Sequence, residues 1–323
     1  MGSRVLPPLA AFLFLALALC PLTAGQAHAQ TSPEYVALGD SLAFGVGAGT
    51  PETQGYVGLA AAALREDTRF AASGLELDNL AVPGATSADL LEDGGQLDKA
   101  LAEIAARAGD GVDGNEVTLI SVIIGGNDLL ALGEGDAPCL TDAAGKVCQD
   151  ALAAMLGELN TNMSELLGRL REAAPAAEIY VSNLFNPYSG SGDPLEIVAS
   201  IGVQQVNGVI GAAAAAPEFR AKLVPVYDLF QGRAKQWIAS DHIHPNNNGY
   251  RVMAEALEAA VEGRPVSVPA DLLNPPTDPP VAAPVITQKG GGVDTIVLLI
   301  ALPVAFLAGA FLSATYFVMR GRS

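Results

Sequence analysis

The chain has 323 residues, with 17 Lys and Arg against 35 Asp and Glu and a formal charge of −18. So acidic a composition argues against nucleic acid and against anionic membrane surfaces as partners. The length leaves room for one globular body large enough to bury a full core.

Arg4 precedes an apolar stretch over residues 9–22, followed by Ala27-His28-Ala29. A positive end, a short apolar core and an Ala-x-Ala site make a secretory signal peptide over residues 1–29, with Gln30 first after cleavage. A lipoprotein reading through Cys20 is disfavoured by bulky Leu19 before it and Pro21 after it.

The body is expected over residues 33–264. Residues 35–38 read as a first buried strand, 55–65 as a helix with apolar residues at helical spacing, and 75–82 as a second strand. Thr86-Ser87-Ala88-Asp89 resembles a helix N-cap with an acid in the first turn. Residues 97–107 read as helix. Residues 117–124 form a near-continuous apolar run, suited to a strand covered on both faces. Then come a helix over 149–173, a strand over 178–182, a helix over 194–215, a strand over 223–227 and a closing helix over 249–261. Strands alternating with helices predict an α/β fold: a three-layer, doubly wound sheet of about five mainly parallel strands. Cys139 and Cys148 are the only cysteines of the expected mature body. Export and close spacing predict a disulfide across this short loop.

Past residue 264 the composition changes. Residues 265–292 are rich in Pro and end in Gly290-Gly291-Gly292, which predicts a stiff, extended linker. Residues 295–319 carry no charge and are long enough to span a bilayer. Arg320 and Arg322 follow at once. The expectation is therefore a transmembrane helix over 293–319 and a basic cytoplasmic tail over 320–323, with the body outside the cell membrane.

Four stretches stand out, each where a strand meets a loop. In Gly39-Asp40-Ser41-Leu42 an apolar run delivers a hydroxyl to the carboxyl edge of the sheet, where open α/β folds keep their ligands. Ala43 stands where the nucleophile elbow of α/β-hydrolases, Gly-x-Ser-x-Gly, needs a second glycine. A serine needs an adjacent base to act as a nucleophile. Of three histidines, His28 lies in the expected leader, while His242 and His244 share Asp241-His242-Ile243-His244-Pro245-Asn246. An Asp near a His on one loop can fix its tautomer and stabilise the imidazolium. The residues leave open which histidine works, and they also allow a metal held by Asp241, His242 and His244. Pro83-Gly84-Ala85 and Gly125-Gly126-Asn127-Asp128 offer backbone and side-chain N–H donors of the kind an oxyanion hole needs. Leu42, Phe44 and the loops after Asn127 and Asn183 are candidates to line an acyl pocket.

These four stretches, in this order, resemble the SGNH (GDSL) hydrolase family of serine esterases and lipases, over roughly residues 35–261. The resemblance implies Ser41 as nucleophile and Asp241 with His244 as the acid–base pair, which settles the histidine. It implies oxyanion donors from the Ser41 and Gly84 amides and the Asn127 side chain. The implied reaction is hydrolysis of an ester substrate (a lipid, a short-chain ester or an acylated glycan) with no cofactor and no metal. Acyl transfer, carbohydrate acetylester hydrolysis and a non-catalytic surface binding module are the alternatives, the last predicting a damaged catalytic set where this one is intact.

Overall fold

The computed structural model describes residue 2, residues 32–133, residue 139 and residues 145–273. The expected leader (but for Gly2), most of the expected linker and the expected C-terminal helix lie outside the described residues.

The chain alternates strands with helices. It runs β1 (Glu34–Gly39), α1 (Ser41–Phe44), α2 (Pro51–Gln54), α3 (Tyr56–Leu64), β2 (Glu76–Asn79), α4 (Gln96–Gly109), β3 (Val117–Ile123), α5 (Gly126–Ala131) and α6 (Lys146–Ala173). It continues with β4 (Glu178–Ser182), α7 (Leu195–Ala215), β5 (Ala221–Val224), α8 (Ala234–Trp237), α9 (Asn247–Glu262) and α10 (Ala270–Leu273). The five strands form one parallel sheet in the order β2-β1-β3-β4-β5. Helices α3 and α9 pack together on one face, and α4, α6 and α7 form the other layer. This is the expected three-layer arrangement. β1 and β3 sit inside it, and the apolar side chains of both are buried. That explains why their sequences are apolar runs rather than alternations.

Some boundaries move, for local reasons. β5 ends at Val224 rather than reaching residue 227, because past Pro225 the chain bonds a side chain and not the β4 backbone. The amides of Val226 and Tyr227 turn instead to Asn183 Oδ1, at 2.6 and 2.9 Å. The pairing of residues 76–82 with β1 outlasts β2 proper: Leu80 N–H donates to Ala37 O and Val82 N–H to Gly39 O. Thr86-Ser87-Ala88-Asp89 does not cap a long helix. Asp89 Oδ2 accepts the Thr86 amide and hydroxyl at 2.7 and 2.8 Å, closing a tight turn. A single 3₁₀ turn follows, and α4 begins only after Gly94, whose φ of +72° breaks the helical path.

The amino-terminal edge of the sheet carries an ion-pair cluster. Arg107 reaches Glu34, Glu76 and Glu103 at 2.7, 2.6 and 2.8 Å. Burial raises the Glu34 carboxyl to about 7 against the opposing pull of Arg107. Among the described residues one helix, α7, is long and apolar enough to cross a bilayer. It packs on β4, β5 and α6 and buries Val203, Val206 and Ile210, which is the behaviour of a covering helix in this fold.

Candidate active site

The carboxyl ends of β1 and β3 and of the stretch following β2 meet at one edge, and the four sequence stretches sit there. β1 runs into Gly39, where any side chain would collide: a Cβ would lie 2.3 Å from Ile123 O. Gln96, the first residue of α4, grips this glycine from the side. Its Oε1 accepts Gly39 N–H at 2.9 Å and its Nε2 donates to Gly39 O at 2.8 Å. Asp40 then caps α1, its Oδ1 accepting Leu42 N–H at 2.9 Å. Burial lifts the Asp40 carboxyl to about 7, with Asp128 nearby adding to the rise and the Leu42 amide opposing it. Ser41 is the first residue of the turn.

The imidazole arrives from far along the chain. Ser41 Oγ lies 2.8 Å from His244 Nε2, and His244 Nδ1 lies 2.7 Å from Asp241 Oδ2. With the ring proton on Nδ1, that nitrogen donates to the carboxylate and Nε2 accepts the serine hydroxyl. Asp241 Oδ1 also accepts the amides of Ile243 and His244, each at 3.0 Å. Partial burial pushes the Asp241 carboxyl up, but these bonds outweigh it and hold it below the ordinary carboxylate range. His244 is 4% exposed and Ser41 6%.

The loop that presents His244 is fixed by its backbone. His244 O accepts Ala239 N–H, and Asn246 N–H donates to Trp237 O, both at 2.8 Å. Asn246 also caps α9 through Asn248 and Gly249, while its Nδ2 donates to Gln236 O. Gly47 lets the chain after α1 press against this loop, since a Cβ there would stand 2.5 Å from Pro245 O. His242 takes no part in the chain of bonds to Ser41. It sits in the left-handed region at φ +64°, exposed, at a second cavity with Ser191 and Lys235. Among the described residues, no group of three or more His, Cys, Asp or Glu is placed to hold a metal ion.

The remaining stretches follow the two strands that pair with β1. Gly84 is exposed, at φ +84°, on the loop beyond the β2 extension. Asn127 lies in the first turn of α5, and its Nδ2 donates to Ala85 O at 2.8 Å. The first residue of α5, Gly126, lies against Asp40, a Cβ there standing 3.6 Å from Asp40 Oδ2.

A cavity of about 480 Å³ adjoins Gly126 and Ile243, the neighbours of Asn127 and His244. Its walls are apolar: Leu129 and Leu130 from α5, Leu184 and Phe185 after β4, Val198 and Val203 from α7. The loops after Asn127 and Asn183 therefore do line a pocket. Leu42 and Phe44 are not part of this cavity; Leu42 is packed into the core and Phe44 is partly exposed. Cys139 and Cys148 are joined by a disulfide, with Cα atoms 4.7 Å apart, and both line this cavity.

Sequence reasoning missed three supports. Asn246 carries a readable signal, a capping residue just before a periodic helix. Gln96 carries none, since a polar residue opening an amphipathic helix is ordinary. The pairing of Ser87 with Asp128 joins stretches 41 residues apart, which no local pattern announces.

An activatable serine at the edge of a parallel α/β sheet, beside an apolar cavity, defines a class of acyl-processing hydrolases. The family comparison gives the particular one. The model of the GDSL-like lipase/acylhydrolase family matches residues 37–252, and the chain belongs to that family. It is a carboxylic ester hydrolase of lipase/esterase type. It is similar to the spore germination lipase LipC of Bacillus licheniformis, with 28% identity over 247 residues, 72% of this chain and 97% of the relative. Among solved structures it resembles the lipase Lip_vut3 from a goat rumen metagenome, with 25% identity, a TM-score of 0.54, 71% of this chain and 97% of that one covered. The extracellular lipase from Streptomyces rimosus shares the fold, with 22% identity, a TM-score of 0.52 and 71% and 100% covered.

Proposed function

We propose that this esterase works through an acyl-enzyme on Ser41 and prefers esters with an apolar acyl chain. The observation that carries the reading is the unbroken chain of contacts Ser41–His244–Asp241, at 2.8 and 2.7 Å, opening beside an apolar cavity of about 480 Å³. His244 Nε2 takes the Ser41 proton as Oγ attacks the ester carbonyl. The tetrahedral oxyanion rests on the Ser41 and Gly84 amides and on the second Nδ2 proton of Asn127. His244 then gives its proton to the departing alkoxide, and the C–O bond breaks. Water, deprotonated by the same imidazole, attacks the acyl carbon; the C–Oγ bond breaks, Ser41 Oγ takes the proton from His244, and the acid leaves. Asp241 holds the Nδ1 tautomer and stabilises the imidazolium.

Two features favour a lipid-type ester over an acetylated glycan. An acetyl group has no use for a cavity this large and this apolar. LipC and Lip_vut3 both carry the name lipase. The working place belongs to the same proposal: the body is exported and held outside the cell by the apolar segment over 295–319, with Arg320 and Arg322 inside. The test is the full chain against Ser41→Ala on a p-nitrophenyl ester series. The variant is expected to lose about 10⁴-fold or more in turnover; retained turnover rules out this serine. A preference for acetyl over longer esters in the unmodified protein rules out the acyl-chain reading.

A further inference from the structure

The two oxyanion donors outside the serine's own turn stand on separate elements. Gly84 is on the loop beyond β2 and Asn127 is in the first turn of α5. A hole stabilises charge only when its donors keep their spacing to within about 0.5 Å. Something must therefore hold these two segments in register.

Asp128, next to Asn127, does not point its carboxylate at the amides of its own helix. It reaches across to the Gly84 loop. Asp128 Oδ2 accepts Ser87 N–H at 2.9 Å, and Oδ1 accepts the same amide at 3.2 Å and the Ser87 hydroxyl at 2.5 Å. Ser87 is buried, and its Oγ accepts Asn162 Nδ2 at 2.9 Å from α6. Its one hydroxyl proton goes to Asp128 and its lone pair to Asn162, so all three side chains are oriented. Charge-assisted bonds of this kind are roughly twice as strong as neutral ones. On the other flank Asn127 Nδ2 donates to Ala85 O at 2.8 Å. A carbonyl only accepts, so this bond fixes which way the Asn127 amide faces and leaves its second proton for the substrate.

We propose that Asp128 is a positioning residue for the oxyanion hole, holding the Gly84 loop and Asn127 at working distance through Ser87 and Asn162. The inference rests on the Ser41 acyl-enzyme reading. A carboxylate that merely complemented the α5 dipole would serve as well facing solvent, and α5 has only six residues.

The test uses the full chain with Asp128→Ala, Asp128→Asn and Ser87→Ala, assayed on p-nitrophenyl butyrate with active sites counted by a fluorophosphonate. Asp128→Ala is expected to lower kcat per titrated site about 30-fold while KM stays within about threefold, because the Asp128–Ser87 bonds serve the transition state rather than the bound ester. Affinity for a boronate transition-state analogue should fall by a similar factor. Asp128→Asn keeps an acceptor for Ser87 N–H and should recover most of the rate. In an Asn127→Ala background, Asp128→Ala should cost no more than about threefold, since residues acting as one unit are not additive. Unchanged kcat per titrated site and unchanged boronate affinity in folded Asp128→Ala overturn the proposal, as does a loss that multiplies in full in the Asn127→Ala background. Should Asp128→Ala fail to fold, Ser87→Ala decides: full kcat per titrated site overturns the proposal, and a loss of at least threefold at constant KM, larger than that of Asp128→Asn, supports it. An active Ser41→Ala brings down the underlying reading instead; an inactive Ser41→Ala beside a fully active Asp128→Ala brings down only this one.

Discussion

The two halves of this site are built on opposite principles. Around Ser41 each group is held by short directional bonds to particular partners: Gly39 by Gln96, Asp40 by the Leu42 amide, His244 between Ser41 and Asp241. The neighbouring cavity is a set of interchangeable apolar side chains, and its outer wall reaches the surface, with Val198 and Ile201 of α7 exposed by 44% and 57%. Directional bonds fix a geometry and tolerate almost no substitution, whereas apolar packing fixes a volume and tolerates many. The chemistry of the protein should therefore depend steeply on a few atoms of the polar half, and its selectivity shallowly on the shape of the other.

The sharpest way to break that contrast is at Asp241. Asparagine is nearly the same size but offers its amide where His244 needs an acceptor, and it favours the wrong tautomer. Asp241→Asn is expected to lower kcat by about 10³–10⁴-fold for every ester, with KM little changed. Because the Asp241 carboxyl is held below its usual range, the unmodified protein keeps this charge, and the stability it lends, above the ordinary carboxylate pKa. It loses them only as pH falls through the lowered value. A pH series of stability on both proteins checks the sign: the variant should lack that acid-side loss. A small, chain-length-dependent effect of Asp241→Asn on turnover would erase the distinction between the halves.

The same contrast explains what could be read from the amino-acid sequence. Ser41 and the Asp241–His244 segment announce themselves because each role admits few residue types, while the choice of His244 over His242 comes from the family resemblance. The alternation of strands and helices was legible for the same reason as the buried runs of β1 and β3, since a covered parallel strand must be apolar throughout. The cavity was legible only as two loops, since leucines that line a pocket and leucines that fill a core look alike in one dimension. Gln96 and the Ser87–Asp128–Asn162 network were not legible at all. Their partners lie 57, 41 and 75 residues away, and nothing local requires them.

A middle-sized effect is expected at Gly202, which α7 presents to the cavity. A Cβ there would stand 3.1 Å from both Leu129 methyls, so a larger side chain must displace Leu129 or take up cavity space. Gly202→Leu replaces a poor helix former in a helix interior, so the backbone should tolerate it. Turnover of octanoyl and longer esters is expected to drop about 10-fold or more in kcat/KM, while acetyl ester turnover stays within about twofold. An equal loss across the p-nitrophenyl series would mean that the apolar wall feeds back on the catalytic geometry, and the two halves are not separable.

The smallest change is expected at the disulfide, where stability and selectivity should part company. Replacing Cys139 and Cys148 together with alanine opens a short loop and should cost about 2–3 kcal/mol in the chain-entropy picture, roughly 5–10 °C in Tm for a body of this size. Neither sulfur touches Ser41, His244 or Asp241, and the serine–histidine contact is built from β1, α1 and the loop before α9, none of which the bridge ties down. Acetyl ester turnover per titrated site at 25 °C should therefore stay within about twofold, while the ratio of long-chain to acetyl kcat/KM shifts by about three- to fivefold as that wall loosens. Thermal melts and the ester series on the same preparation separate the two outcomes. A bridge that mattered to the polar half would lower acetyl turnover in step with Tm, and the cavity wall would then have to be counted as part of the chemistry.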